Sequence, residues 1–172
     1  MKKVVLYFSL ILTCFASSCT QQGHKAKAKE EAQKAVAVEA ATESPWQLLI
    51  TNIGQHIPNN ELFGIKALNE GLTATIGDQS ESLKQDWNVG SPVMRSNNIV
   101  SISGCKHDAC PESHWLIYVD VADNIMNVYH FQNDKLTIYK GKELLSLPPS
   151  MQETLDTMKS NANVTPQTTK VI

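Results

Sequence analysis

The sequence predicts an α+β domain in which helices precede and follow an antiparallel sheet. Between Trp46 and Trp87 the apolar residues recur every three or four positions, as they do on the buried face of a helix. From Pro92 onward the spacing of the apolar residues changes to two, which is typical of strands. Short polar turns separate these strands, and such turns join antiparallel neighbours, because a parallel return needs a crossover. The expected order is therefore helices, a β-meander and a final helix.

The first 18 residues have the pattern of a bacterial signal peptide. Lys2 and Lys3 form a basic start, and the 13 residues from Val4 to Ala16 are mainly apolar. A helix of that length cannot span about 30 Å of hydrocarbon, but it suits the core of an export signal. A buried core helix is the alternative, and the polar residues that follow leave it nothing to pack against. We expect residues 1–18 to be a lipoprotein signal peptide.

The leader ends in Ala16-Ser17-Ser18-Cys19, which resembles a bacterial lipobox. In lipoproteins the cysteine of this motif receives a diacylglycerol thioether and acyl chains such as palmitate, and it becomes the new N-terminus. Ala16 departs from the motif, where Leu is commonest. Thr20 follows the cysteine in place of the Asp that retains lipoproteins in the inner membrane. The resemblance implies lipidation at Cys19 and an outer-membrane lipoprotein that faces the periplasm or the cell surface.

The chain divides into a tether, one domain and a short tail. Residues 20–44 are dominated by Ala, Lys, Glu and Gln and contain no aromatic residue, so they cannot bury a core. We interpret residues 19–44 as the lipidated cysteine and a flexible tether. The α+β domain is expected over residues 45–160, and residues 161–172 are expected to be a loose C-terminal tail.

Three helices are predicted before the sheet, and their apolar residues are expected to face the core. Pro58 ends the first helix, Asn59 and Asn60 offer a cap for the second, and Asp78 offers a cap for the third. The expected limits are Trp46 to Pro58, Asn59 to Gly77, and Asp78 to Trp87.

Four strands are expected in the meander, with tight turns at Asp123-Asn124 and Asn133-Asp134. Pro148 and Pro149 end the sheet, and Ser150 is expected to cap a helix from Met151 to Met158. His130 lies within a predicted strand, where we expect a half-exposed side chain. The strands are predicted at Ile99 to Ser103, Trp115 to Val121, Ile125 to Phe131, and Lys135 to Tyr139.

Composition and motifs narrow the class of function. The chain has 15 basic and 17 acidic residues, and loss of Lys2 and Lys3 with the leader makes the mature chain more acidic. An acidic chain is steered toward basic partners and away from nucleic acid. The sequence has no nucleophile elbow, no phosphate-binding glycine loop and no His-Glu-x-x-His motif. We therefore expect no enzyme, no catalytic residue, no metal and no cofactor.

The most distinctive segment runs from Ser103 to His114, between two predicted strands. Cys14 leaves with the leader and Cys19 takes lipid, so Cys105 and Cys110 remain as a pair in an oxidising compartment. A disulfide between them would close a six-residue ring and contribute about 2 kcal/mol by loop entropy. Its larger effect would be to hold Lys106, His107 and Asp108 in a fixed shape, so that little ordering entropy is lost on binding.

Three interpretations of this ring are open. It could be a structural clasp of the hairpin with no partner. It could be a zinc site built from Cys105, His107, Cys110 and His114, although export favours the disulfide and no second Cys pair is present. It could be a recognition loop that enters the cleft of another protein.

The ring resembles the signature of the periplasmic inhibitors of vertebrate lysozyme, the Ivy-like family. The protruding loop of that family has the order Cys-Lys-Pro-His-Asp-Cys, and this chain has Cys105-Lys106-His107-Asp108-Ala109-Cys110. The resemblance covers about Leu68 to Tyr139 and is specific in the loop. It implies an antiparallel sheet flanked by helices, and a loop that binds c-type lysozyme through Lys106, His107 and Asp108. In the family the loop histidine engages the two catalytic carboxylates of the lysozyme.

The order of residues within the ring departs from that of the family. The family has Pro third and His fourth, whereas this ring has His107 third, Asp108 fourth and Ala109 fifth. A shift of one residue in a tight ring re-aims the imidazole by several ångströms, and a hydrogen bond needs a separation of about 3 Å. Two functions follow. One is an envelope lipoprotein that binds a partner through the ring and inhibits c-type lysozyme. The other is an envelope lipoprotein of the same fold with a structural or different binding role.

Overall fold

The computed structural model describes residues 44–110, 112–161 and 167–171. The predicted leader, the predicted lipidation site at Cys19 and the predicted tether up to residue 43 lie outside these residues. Among the helices of the described segments, none combines the length and the apolar character that a membrane crossing requires.

The three helices predicted before the sheet are present, but the first ends at Thr51 and not at Pro58, and the second is divided in two. The chain turns between Leu62 and Lys66, at Gly64, because glycine is a poor helix former. Gly77 closes the longer of the two pieces with a φ of 57°. Asp78 occupies the N-cap position of the next helix, but its side chain makes no capping hydrogen bond. In the described part of the chain the helices are α1 (Gln47–Thr51), α2 (Asn59–Leu62), α3 (Lys66–Ile76), α4 (Gln79–Asp86) and α5 (Pro149–Asn161).

The strands form one sheet in the order β1-β3-β4-β5-β6-β7, with β2 paired to the outer side of β3. Every pair is antiparallel except β6 with β7. The predicted α+β class and the antiparallel meander are therefore confirmed. The strands are β1 (Val89–Gly90), β2 (Met94–Ser96), β3 (Ile99–Cys105), β4 (Ser113–Asp120), β5 (Ile125–Gln132), β6 (Lys135–Lys140) and β7 (Gln167–Val171).

Three strands were not predicted from the sequence. β1 and β2 contain two and three residues, which is too short for an alternating pattern to be visible. β7 lies within residues 161–172, where the sequence predicts a loose tail. The outer edge of β6 offers unpaired backbone groups, and β7 pairs with them in parallel. The prediction is corrected accordingly for Gln167–Val171.

The sheet is covered on both faces. One apolar cluster joins α1 to α4 with Trp115, Ile117 and Val119 of β4, and a second joins α5 with Leu116 and Tyr118 of the same strand. The Tyr118 hydroxyl donates a hydrogen bond to the carbonyl of Met151 at 2.9 Å, which holds α5 on the sheet. β4 is therefore buried on both faces. The ring of residues 105–110 lies at the end of β4 where the chain connects it to β3.

Candidate functional site

The six-residue ring occupies the connection between β3 and β4. Cys105 pairs with His114 at the last position of the β3–β4 register, so the ring projects from the end of the sheet. Cys105 and Cys110 are joined by a disulfide, and their Cα atoms are 5.0 Å apart. The predicted disulfide is confirmed. It uses both thiols that the zinc alternative required, so that alternative does not describe this structure.

The ring presents three polar side chains to solvent. Lys106, His107 and Asp108 are all exposed. The His107 Nδ1 lies 2.9 Å from the Asp108 Oδ2, and the two side chains are 69% and 88% exposed. An exposed pair of this kind adds little stability. The contact does orient the imidazole. Because Asp108 contacts Nδ1, Nε2 is the ring nitrogen that points away from this pair and is available to another protein.

The residues that follow α4 brace one side of the ring. The Asn88 backbone N–H donates to the carbonyl of Cys105 at 3.0 Å, and the Asn88 Oδ1 accepts a hydrogen bond from the His107 N–H at 3.3 Å. Trp87 is buried against Gly104, where an added Cβ would lie 2.3 Å from two ring atoms of the indole. The backbone of the ring is thus tied to a large side chain in the core.

Backbone hydrogen bonds brace the other side of the ring. Ala109 donates to the carbonyl of Lys106 at 3.1 Å, and it accepts from the Ser113 N–H at 2.8 Å. The carbonyl of Glu112 accepts from the Asn133 N–H at 3.1 Å, in the tight turn between β5 and β6. Both Asn133 and Asp134 have positive φ, as a two-residue hairpin turn requires. The ring therefore stands between β1 and the β5–β6 turn.

A buried indole and a buried imidazole lie at the base of the six-residue ring. His130 stacks on Trp115 with 3.5 Å between ring centroids and 7° between planes. The expectation of a half-exposed His130 is wrong, since its side chain is 7% exposed. Its strand lies between two others, and α1 to α4 cover this face.

Burial disfavours the charged forms of two imidazoles at this end of the sheet, those of His114 and His130. It lowers the pKa of His130 to about 4. Burial also lowers the pKa of His114, and a hydrogen bond to the Cys110 backbone opposes that shift in part. Within the described residues, four buried side-chain atoms here lack a hydrogen-bond partner, and each such atom costs folding free energy. These atoms are Ser113 Oγ, His114 Nε2, Trp115 Nε1 and His130 Nε2.

The described segments contain no group of three or more His, Cys, Asp or Glu side chains placed to hold a metal ion. What the site offers is a rigid, exposed, charged ring on a buried base. That arrangement suits recognition of another protein.

A protein-family model described as the inhibitor of vertebrate lysozyme (Ivy) matches residues 67–161. The match covers more than half of the chain and includes the whole ring. The chain belongs to this family. No curated protein and no solved structure gave a match. The Ivy family is a family of inhibitors and not of enzymes, in agreement with the prediction that this chain is not an enzyme.

The tertiary contacts of this Ivy-family ring include residues that sequence reasoning missed. Asn88 and Trp87 are 17 and 18 positions before Cys105, and no local pattern connects them with the ring. Gly104 was the one available indication, because a glycine within a strand often marks a close approach of another group. The predicted site residues Lys106, His107 and Asp108 are brought together as a single exposed surface.

Proposed function

We propose that this chain inhibits a c-type lysozyme by placing the ring of residues 105–110 in the catalytic cleft of that enzyme. The observation that carries the proposal is the disulfide-closed ring, exposed at the end of the sheet, in a chain of the Ivy family. A lysozyme cleft contains two catalytic carboxyl groups, one acting as an acid and the other ionised. Lys106 supplies a cation and His107 supplies an imidazole on the exposed side of the ring. Carboxylates bind both kinds of group.

The contacts of the ring support a preformed inhibitor. Asn88, the disulfide and the Ala109 backbone hold the ring before any partner is bound. Binding therefore orders few additional residues, and a larger part of the contact energy remains as affinity. The lysozyme active site would be blocked sterically, and its carboxyl groups would be bound by the ring.

The proposal also includes a location. The N-terminal pattern and the lipobox-like Cys19 support a lipid-anchored protein of the outer membrane, with the domain held on the tether of residues 19–44. Membership of the Ivy family supports a location in the periplasm or the cell envelope. An inhibitor held there would meet a lysozyme before it reaches the cell wall.

A second function is favoured by the order of residues in the ring. His107 is third and Asp108 is fourth, so the imidazole leaves the ring one position earlier than in the family signature. A ring that cannot reach both carboxyl groups would leave an envelope protein with a structural role or another binding partner.

Titration of a c-type lysozyme with the oxidised mature chain decides between these functions. Inhibition predicts that muramidase activity falls to near zero as the chain is added at micromolar concentration. The variant in which Cys105 and Cys110 are both replaced by Ser is the matched control, since it keeps every exposed ring side chain. It should inhibit at least tenfold less well. A flat titration with the oxidised chain would remove the inhibitor function and favour the second one.

A further inference from the structure

A small hollow lies at the foot of the ring, on the side of β1. Its volume is about 150 Å³, and it lies at the open edge of the sheet. Its walls contain small or apolar residues and one imidazole, whose pKa is lowered by burial. The lining residues are Val89, Gly90, Ser91, Ser103, Gly104, Cys105 and His114.

Val89 forms the exposed wall of this hollow. β1 pairs only with β3 among the described strands, and Val89 stands opposite Cys105, the first residue of the ring. Val89 is 42% exposed, although it is apolar. Met94 on β2 is also apolar and is 58% exposed, but it stands opposite Ser101, four residues or about 13 Å farther along β3.

The ring alone is too small for a stable interface. A specific protein–protein interface buries about 800 Å² on each partner and uses 20 to 30 residues a side. Lys106, His107 and Asp108 are three residues, so a lysozyme that holds the ring must also contact the surface around its foot. On the β1 side that surface consists of Asn88, Val89 and the hollow.

We propose that the hollow beside Val89 is a second contact for the lysozyme and receives one uncharged side chain from the rim of its cleft. The inference rests on the proposed function, and it adds the surface that completes the interface. An apolar cavity of about 150 Å³ is large enough for a benzene ring, so one aliphatic or aromatic side chain fits. A charged side chain is disfavoured, because the lining offers it no opposite charge.

The test compares Val89→Asp with Met94→Asp in the mature, oxidised chain. Both substitutions put a carboxylate in place of an exposed apolar residue on the same edge of the sheet. Affinity for an immobilised c-type lysozyme is measured for each variant, and thermal unfolding confirms that both are folded. Val89→Asp should weaken binding at least tenfold, whereas Met94→Asp should change it less than twofold. Val89→Ala, which introduces no charge, should weaken binding two- to fivefold.

The outcomes separate this inference from the proposed function. Wild-type binding with no loss in Val89→Asp and Val89→Ala overturns the second contact and leaves inhibition by the ring intact. Equal losses of affinity in Val89→Asp and Met94→Asp also overturn it, because the added negative charge alone, at either position, would then explain the loss. Absence of binding by the wild-type chain overturns the proposed function and this inference together.

Discussion

His107 is exposed at the tip of the ring, yet its position is set by groups that reach the core. Its N–H is bound by Asn88, which follows Trp87, and Trp87 packs on Gly104 immediately before the ring. The side chain itself has one described partner, the Asp108 carboxylate at 2.9 Å. The imidazole can therefore be changed without disturbing the fold, while the backbone beneath it cannot.

We predict that His107→Ala weakens lysozyme inhibition and leaves stability unchanged. A hydrogen bond to a charged group contributes about 1.5–3 kcal/mol, which corresponds to a roughly 10- to 150-fold rise in the inhibition constant. The measurements are the inhibition constant and the thermal midpoint. His56→Ala is the control, because His56 is also exposed but lies before α2 and outside the ring. Equal inhibition by wild type and His107→Ala would contradict this role.

We predict that the domain loses stability as the pH falls, through His130. Its pKa is lowered to about 4 in the folded chain, against an ordinary value of 6.5 when unfolded. The unfolded chain therefore takes up the proton first. The contribution of neutral His130 to the free energy of unfolding is complete above pH 6.5. It is lost between pH 6.5 and 4, and the total loss is about 3 kcal/mol. Urea unfolding at a series of pH values measures it.

His130→Phe is the informative variant for that titration. Phenylalanine keeps an aromatic ring against Trp115 but binds no proton. The variant should lose clearly less stability than the wild type between pH 7 and 4. His114 remains and its pKa is also lowered by burial, so a smaller dependence on pH should persist. Identical pH profiles for the two proteins would show that His130 does not carry the effect.

At the scale of elements, the hairpin of β3 and β4 is the part that makes the ring rigid. Its seven-pair register ends at Cys105 and His114, where the disulfide begins. On one side, β1 pairs with Cys105 and Asn88 donates to its carbonyl; on the other, the β5–β6 turn binds the carbonyl of Glu112, two residues after the ring. The ring is therefore held by the neighbouring parts of the sheet as well as by its own covalent bond.

We predict that Gly104→Ala is strongly destabilising. An added Cβ would lie 2.3 Å from two atoms of the buried Trp87 indole, so β3 or the indole must move. Overpacking of this kind costs about 1–3 kcal/mol or more. Denaturant unfolding measures the loss, and inhibition should weaken with it because the ring follows directly.

Gly141→Ala is the matched control for that substitution. A Cβ at Gly141 would meet its nearest atoms at 3.7 and 3.9 Å, which is ordinary contact. Its effect on the free energy of unfolding should stay within about 0.5 kcal/mol, as for substitutions that disturb no packed feature. Similar losses for the two variants would show that Trp87 does not restrict position 104.

The whole molecule combines a small exposed ring with an acidic chain. The formal net charge of the sequence is −2, while Lys106 puts a positive charge on the ring. A basic lysozyme would be attracted by the chain as a whole, and this attraction mainly raises the association rate. The carboxyl groups of its cleft would then meet the positive side chain of the ring.

We predict that Cys19→Ala abolishes membrane anchoring. The proposed anchor is a lipid on this cysteine, because the leader is too short to span a bilayer once export is complete. Expression in a Gram-negative host should give uncleaved or soluble protein, which cell fractionation and intact mass detect. Cys14→Ala is the control and should fractionate like the wild type. A cleaved Cys19→Ala protein that remains with membranes would contradict the lipoprotein proposal.

The sequence by itself determined the α+β class, the four strands of the meander and the disulfide. These follow from local properties: the period of apolar residues, turn residues at Asn133 and Asp134, and the count of cysteines. It also contained the ring on which the family resemblance depends, and the family match confirms that resemblance.

Only the tertiary structure decided what surrounds the ring. The two residues of β1 carry no periodicity, and β7 forms because the edge of β6 is open to it. The contacts of Asn88 with His107 and of Trp87 with Gly104 join segments far apart in the chain, and so does the stacking of His130 on Trp115. Such contacts depend on how the helices pack on the sheet, and that packing is not encoded in the spacing of any single segment.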